Sequence, residues 1–273
     1  MLLRTLGSKS IHGLGRYCLP PKCWFPFEPL CANCPDMNSL VISVLLALAA
    51  GVTIPLGAHA ASVENIRPKW LENEFRHGVI AFGGGVLLSA VSLVLIPEGI
   101  KELSPLWVIA AFSLGGIFFF FIDRLISRHA GSASQLMAML LDFIPEALAM
   151  GAALAIGEPI GMLLAFLIAL QNFPEGFNAY RELTTSGNYS KIKVLSSFWI
   201  MILIGPLCAY LGHEFLSGSP SILGAIMLAS AAGIIYLTFE DIAPQAVLES
   251  HWAPPLGAVF GFLVGLIGHM LIL

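Results

Sequence analysis

The chain has 273 residues, of which 57% are hydrophobic and only 11% charged, and its formal net charge is −4. Soluble domains carry about 25% charged residues, so this composition, with a mean hydropathy of +0.86, excludes an ordinary water-soluble enzyme. The mild acidity argues against nucleic acid as a partner.

Taken in chain order, residues 1–36 form an N-terminal extension with no acidic residue before Glu28 and with basic and hydroxyl side chains, the composition of a targeting segment. Two other readings stand beside it. Four of the five cysteines (Cys18, Cys23, Cys31, Cys34) lie here, and Cys31-x-x-Cys34 has metal-box spacing. Alternatively, translation starts at Met37, immediately before the first apolar stretch, and residues 1–36 are not native.

From residue 37 to 273 the sequence reads as one membrane domain. A span needs roughly 20 mainly apolar residues. Eight windows meet this, at about 39–58, 78–98, 106–126, 134–156, 160–181, 195–216, 221–243 and 255–273. Very short turns such as Gly157-Glu158-Pro159 and Ser217-Gly218-Ser219-Pro220 separate some of them. The expected fold is an all-α polytopic bundle of eight transmembrane helices. Basic residues set its orientation: Arg67, Lys69, Arg76, Arg124, Arg128, Arg181, Lys191 and Lys193 fall at one side, and only Lys101 falls opposite, apart from the N-terminal tail. By the positive-inside rule both termini are outside. No His-Glu-x-x-His helix, phosphate loop or nucleophile elbow lies in the spans, so no enzyme activity is expected.

The fourth and fifth windows carry nearly the same polar cassette: Asp142-Phe143-Ile144-Pro145-Glu146 and Gln171-Asn172-Phe173-Pro174-Glu175. An ionisable residue at that depth is costly and marks a functional site. Residues four apart share a helix face, so Asp142 projects with Glu146 and Gln171 with Glu175. In consecutive antiparallel spans the two pairs can meet. Pro145 and Pro174 leave the carbonyls of Leu141 and Leu170 without their helical donors. Such interrupted helices at the midplane are a recurring transporter design. Three carboxylates and a carboxamide repel one another when all are ionised, and a divalent cation relieves that repulsion while displacing protons. Cation binding is therefore expected to weaken as pH falls. A single Pro-Glu more often marks a kink with an interfacial charge; the doubling favours a ligand set. Asn172 and Asn178 either line the path or bond to a neighbouring helix.

With these motifs in place, the chain resembles the ZIP (Zrt-/Irt-like protein) family of eight-span divalent-metal transporters, over residues 37–273. Leu95-Ile96-Pro97-Glu98-Gly99 ends the second window as in that family. Windows four and five stand where the family writes His-Asn-x-x-Glu/Asp-Gly and His/Gln-x-x-Pro-Glu. Gly205-Pro206-Leu207 resembles its Glu-Pro-Leu-Gly, and Phe239-Glu240-Asp241-Ile242-Ala243-Pro244-Gln245-Ala246 its Glu-Leu-x-Pro-Glu-Ala. The resemblance implies an inverted-repeat bundle and a metal site of Asp142, Glu146, Gln171 and Glu175, with Asn172 beside it. It puts Glu98 at the outer mouth and Glu240 with Asp241 near the inner exit.

The sequence departs from the pattern at Asp142, where the family has histidine, at Phe143, where it has an amide, and at Gly205, where it has glutamate. The last two losses strike an adjacent second metal position, so one well-formed site is expected rather than two. The family suggests zinc or iron, whereas an all-oxygen set suits manganese or iron.

The expected function is transport of zinc, iron or manganese toward the cytoplasm. The alternative is a ZIP-like membrane metal sensor or scaffold that no longer transports. No cofactor is expected besides the metal as substrate. The expected partners are the ion, the bilayer and a second copy in a homodimer. The expected location is the plasma or inner membrane.

Overall fold

A computed structural model describes residues 39–64, 69–129, 134–185, 189–247 and 253–273. The readings of residues 1–36 and of Met37 and Arg67 fall outside this set. All regular structure among the described residues is helical.

Eight helical rods follow in chain order: α1 (Ser39–Val63), α2 (Lys69–Ala90, continued by Val91–Leu95 and Ile96–Lys101), α3 (Pro105–His129), α4 (Ser134–Ala155), α5 (Ile160–Thr185), α6 (Lys191–Met201, continued by Ile204–Leu211 and Gly212–Leu216), α7 (Pro220–Leu237, continued by Thr238–Ile242 and Ala243–Ala246) and α8 (Leu256–Ile272). The first seven are long and apolar enough to cross a bilayer, which makes the chain an integral membrane protein. α8 is a shorter apolar helix, about 25 Å long at 1.5 Å per residue.

Prolines account for most of the irregularity. A proline cannot donate to the carbonyl four residues back. Pro97 and Pro244 orphan the carbonyls of Leu93 and Glu240, and each of these lies in a π-helical turn, Val91–Leu95 and Thr238–Ile242; a further π turn, Gly212–Leu216, closes α6, where Leu216 O accepts from Ser219 N at 3.0 Å. Pro206 orphans Ile202, where α6 breaks between Met201 and Ile204. Pro55, Pro145 and Pro174 stay inside their helices. Gly157, at φ 74°, makes the tight turn between α4 and α5.

Two groups of helices pack side by side. α1, α4, α5 and α6 form one, and α2, α3, α7 and α8 the other. The groups meet mainly where α2 packs on α5 and α4 on α7. α5 is the most enclosed rod, with 72% of its apolar window buried, and α3 the least, with 11%. So α5 is the axis of the bundle and α3 its outer wall. Small residues set the closest approaches: Gly57 lies on Phe173 of α5, and Gly176 of α5 on Ile54. Ser89 likewise lies against Gly265 of α8 and bonds its own helix at Val86 O, so it serves packing.

At the end bearing the basic residues, Arg181 of α5 donates to Glu64 after α1 and, at 2.6 Å, to Glu72 of α2. It also stacks 5.9 Å from the ring centre of Phe177. Arg181 thus ties the two helix groups together at that end. Charged hydrogen bonds contribute about 1.5–3 kcal/mol each. Arg181→Met is expected to lower the melting temperature of the detergent-solubilised protein clearly below that of Arg124→Met, and equal midpoints would refute the tie.

Asp123 of α3 accepts from Tyr236 Oη of α7 at 2.9 Å. His269 of α8 has a buried Nδ1 without a partner among the described residues. His213 bonds Ser39 at 3.0 Å and Glu214 at 3.1 Å, closing the opposite end.

Candidate functional site

α4 and α5 are apolar rods whose charged and amide side chains in mid-helix are those of the two cassettes and, one turn on in α5, Asn178. The helical repeat turns these inward: Asp142 is 4% exposed, Glu175 5%, and Glu146, Gln171 and Asn172 are fully enclosed. The burial that the four-residue spacing predicts is seen for Asp142 with Glu146 and for Gln171 with Glu175. Gln171 donates its Nε2–H to Glu146 Oε2 across the α4–α5 contact. This bond joins the two cassettes at one depth.

Few of the remaining oxygens find a partner. Asp142 Oδ1, Glu146 Oε1, Gln171 Oε1, Asn172 Oδ1 and both oxygens of Glu175 are buried with no hydrogen-bond donor. Leaving a buried polar atom unsatisfied costs about 1–3 kcal/mol, more for a charged one, and native interiors seldom tolerate it. Six such atoms on two packed helices are all acceptors. What they lack is a donor or a cation. Among the described residues, the positive pole bonded at the centre is the amide N–H of Gln171, and a half-turn of that amide would replace it with the unpartnered Oε1.

No three His, Cys, Asp or Glu side chains among the described residues gather closely enough to hold an ion by themselves. The central set is mixed, with the Gln171 amide bonded to the Glu146 carboxylate. An ion held here would draw on carboxylate and amide oxygens together, the hard donors that suit manganese, magnesium or calcium more than imidazole would.

Asn172 turns aside from this set. Its Nδ2 donates to Ala50 O of α1 at 3.2 Å. Next to it, Phe143 is fully enclosed and its ring tip lies against Gly205: a Cβ on that glycine would stand 2.7 Å from Phe143 Cζ and 3.0 Å from Ala47 O. The two sequence departures are thus one packing event. The phenyl ring fills the space beside the cassette that the absence of a side chain at Gly205 leaves open.

The outlying acidic residues separate. Asp241 lines a crevice of about 10 Å³ together with Asp142 and Glu175, room for about one water-sized sphere. Glu240, its neighbour, is exposed and does not line the crevice. Glu98 lies at the other end of the bundle in a cavity of about 200 Å³, with Glu102, Glu158 and Lys101. There Lys101 Nζ holds both Glu98 oxygens at 2.6 and 2.7 Å. Two larger grooves, of about 860 and 680 Å³, are lined mainly by apolar side chains; of these acids, Glu102 alone lines the first and none lines the second.

Sequence reasoning left Asn178 undecided and missed its state. It is 9% exposed, and its Oδ1 is buried without a partner. Its position three residues beyond Glu175 was the available signal. The Phe143–Gly205 contact left no signal in either helix alone. No family model matches the chain, and comparison with characterised proteins finds no match.

Proposed function

We propose that the chain is a ZIP-like transporter of divalent metal cations, carrying zinc, iron or manganese toward the cytoplasm. The observation that supports this best is the set of unpartnered, enclosed oxygens on Asp142, Glu146, Gln171 and Glu175. An acceptor-only constellation inside a membrane bundle is costly unless a cation visits it.

In this reading α8 is the eighth span, the repeated cassettes of α4 and α5 belong to an inverted repeat, and both termini are outside. The ion enters by the Glu98 cavity, where it competes with Lys101 for the carboxylate. Glu146 and Glu175 then take it as central ligands, with Asp142 and Gln171 completing the shell. It leaves past Asp241. The wide cavity at the entry end and the narrow crevice at the other favour an outward-facing state. Movement of one helix group against the other would open the crevice, which is alternating access around a fixed site. Phe143 packed on Gly205 leaves one ion position rather than two.

The test is uptake of zinc, iron, manganese and cadmium into proteoliposomes by the unaltered chain and by Glu146→Ala/Glu175→Ala. Saturable flux that the double variant loses is the expected result, and the four rates rank the metals. Absence of flux for every metal, from folded protein, would turn the reading to a non-transporting sensor or scaffold.

A further inference from the structure

The groove of about 680 Å³ runs along the seam between the two helix groups. Thr53 of α1 with Phe173 and Pro174 of α5 lines one side, and Phe75 and Gly78 of α2 with Phe260 of α8 lines the other. It starts near the basic end of the bundle, where the Phe75 ring packs edge-to-face on Phe177 at 6.2 Å and Arg181 covers Phe177 in turn. It reaches the depth of the cassette at Pro174.

Nothing polar can settle in this groove. Among the described residues that line it, Thr53 alone has a polar side chain, and its hydroxyl donates to Ala50 O of its own helix at 2.6 Å. A held water needs about two to four polar partners, so the groove does not suit water. Left empty, its lining forfeits dispersion contacts. The surroundings supply hydrocarbon instead. α1, α2 and α5 are long and apolar enough to cross a bilayer, and Phe75, Phe173 and Phe260 are between 40% and 57% exposed. Gly78 leaves a gap in the wall, since a Cβ there would meet nothing within 4 Å.

We propose that the groove is a binding site for one acyl chain of a phospholipid whose phosphate lies at the basic end. Its volume falls within the range of roughly 300–1,000 Å³ usual for ligand pockets. Arg76, Arg181, Lys191 and Lys193 flank the α1–α2 and α5–α6 connections at that end, and basic residues beside a membrane attract lipid phosphate. The chain touches both helix groups, so its binding stabilises the arrangement in which they are packed. Binding of the chain is independent of the transport reading above, and failure of either leaves the other standing.

The experiment uses the full chain in vesicles of phosphatidylglycerol doped with the same lipid carrying a photoreactive diazirine midway along one acyl chain. Labelled residues are mapped by mass spectrometry. α3 is the reference for ordinary boundary lipid, because only 11% of its apolar window is buried. Label on the groove is expected to exceed label on α3 about tenfold, equivalent to roughly 1.4 kcal/mol. Gly78→Phe, which fills the gap, is expected to lose the groove label and keep the α3 label. In detergent, added phosphatidylglycerol is expected to raise the thermal midpoint of the unaltered chain and not that of Gly78→Phe. Should Gly78→Phe fail to elute as folded protein, the ratio of groove to α3 label in the unaltered chain decides alone. Three results would overturn the site. Equal label on groove and α3 would reduce it to boundary lipid. Groove label that persists in Gly78→Phe would seat the chain elsewhere. An unlabelled groove in a chain that elutes as a dimer would show that a second copy covers it.

Discussion

Replacing Glu146 by glutamine is expected to weaken equilibrium Mn²⁺ binding by about 100-fold or more and to flatten its dependence on pH. The magnitude follows from position. Residues that merely orient a metal ligand cost about 10–100-fold when lost, and Glu146 is itself a ligand in the proposed set, fully enclosed and tied to Gln171 across the α4–α5 contact. Glutamine keeps the shape and one acceptor oxygen, so loss of folding is not the expected cause.

The pH effect has a definite sign. Asp142, Glu146 and Glu175 are all buried on the two packed helices, and protons compete with a cation for carboxylate oxygens. A divalent cation displaces those protons. Acidification therefore favours the ion-free form, and affinity falls by about tenfold per pH unit for each proton released. Glu146→Gln removes one of the competing groups, so the slope falls by about one proton. Calorimetry at several values between about pH 5.5 and 8 reads both quantities. Affinity that does not change over that range in the unaltered chain would sink the carboxylate site.

The second large effect is structural. Gly57→Ala and Gly176→Ala are each expected to abolish a stable fold. A Cβ at Gly57 would be driven into the carbonyl of Phe173, and one at Gly176 into the carbonyl of Ile54. Both obstacles are backbone, which cannot rotate away as a side chain can. The helices would have to part, and α5, the most buried rod, is the one displaced. Overpacking costs of about 1–3 kcal/mol are usual when side chains can yield, and here the cost lies at or above the top of that range. Gly78→Ala is the control, because nothing lies within 4 Å of its would-be Cβ. Size-exclusion profiles and thermal midpoints in detergent report the outcome, and a Gly57→Ala chain as stable as Gly78→Ala would refute the close approach.

Packing of this kind divides what could be read in one dimension from what could not. Local rules act along a single helix, and they were sufficient for much of the protein. Twenty apolar residues in a row require a helix in lipid, so the seven long rods were legible, as was the short eighth one as an apolar segment. A four-residue spacing requires a shared face, so the burial of Asp142 with Glu146 and of Gln171 with Glu175 followed from the pattern. Interrupted helices were expected at Pro145 and Pro174, but α4 and α5 run through both; the missing donor instead coincides with the π turns before Pro97 and Pro244.

Pairwise facts between distant segments had no such rule. Whether Asn172 faces the path or another helix depended on where Ala50 came to lie, and it donates to that carbonyl. The crevice takes Asp241 but leaves Glu240 outside, since neighbours on a helix point about 100° apart and only the packing decides which of them faces Asp142 and Glu175. Phe143 and Gly205 read separately as two lost ligands; only the tertiary structure makes them one contact, because a ring on α4 and a missing side chain on α6 are complementary in space and unrelated in sequence. Composition and helical periodicity determined the membrane bundle and the polar face of α4 and α5. The identity of each partner across the bundle was decided by helix packing, which brings together atoms separated by tens to more than a hundred residues and obeys shape rather than spacing.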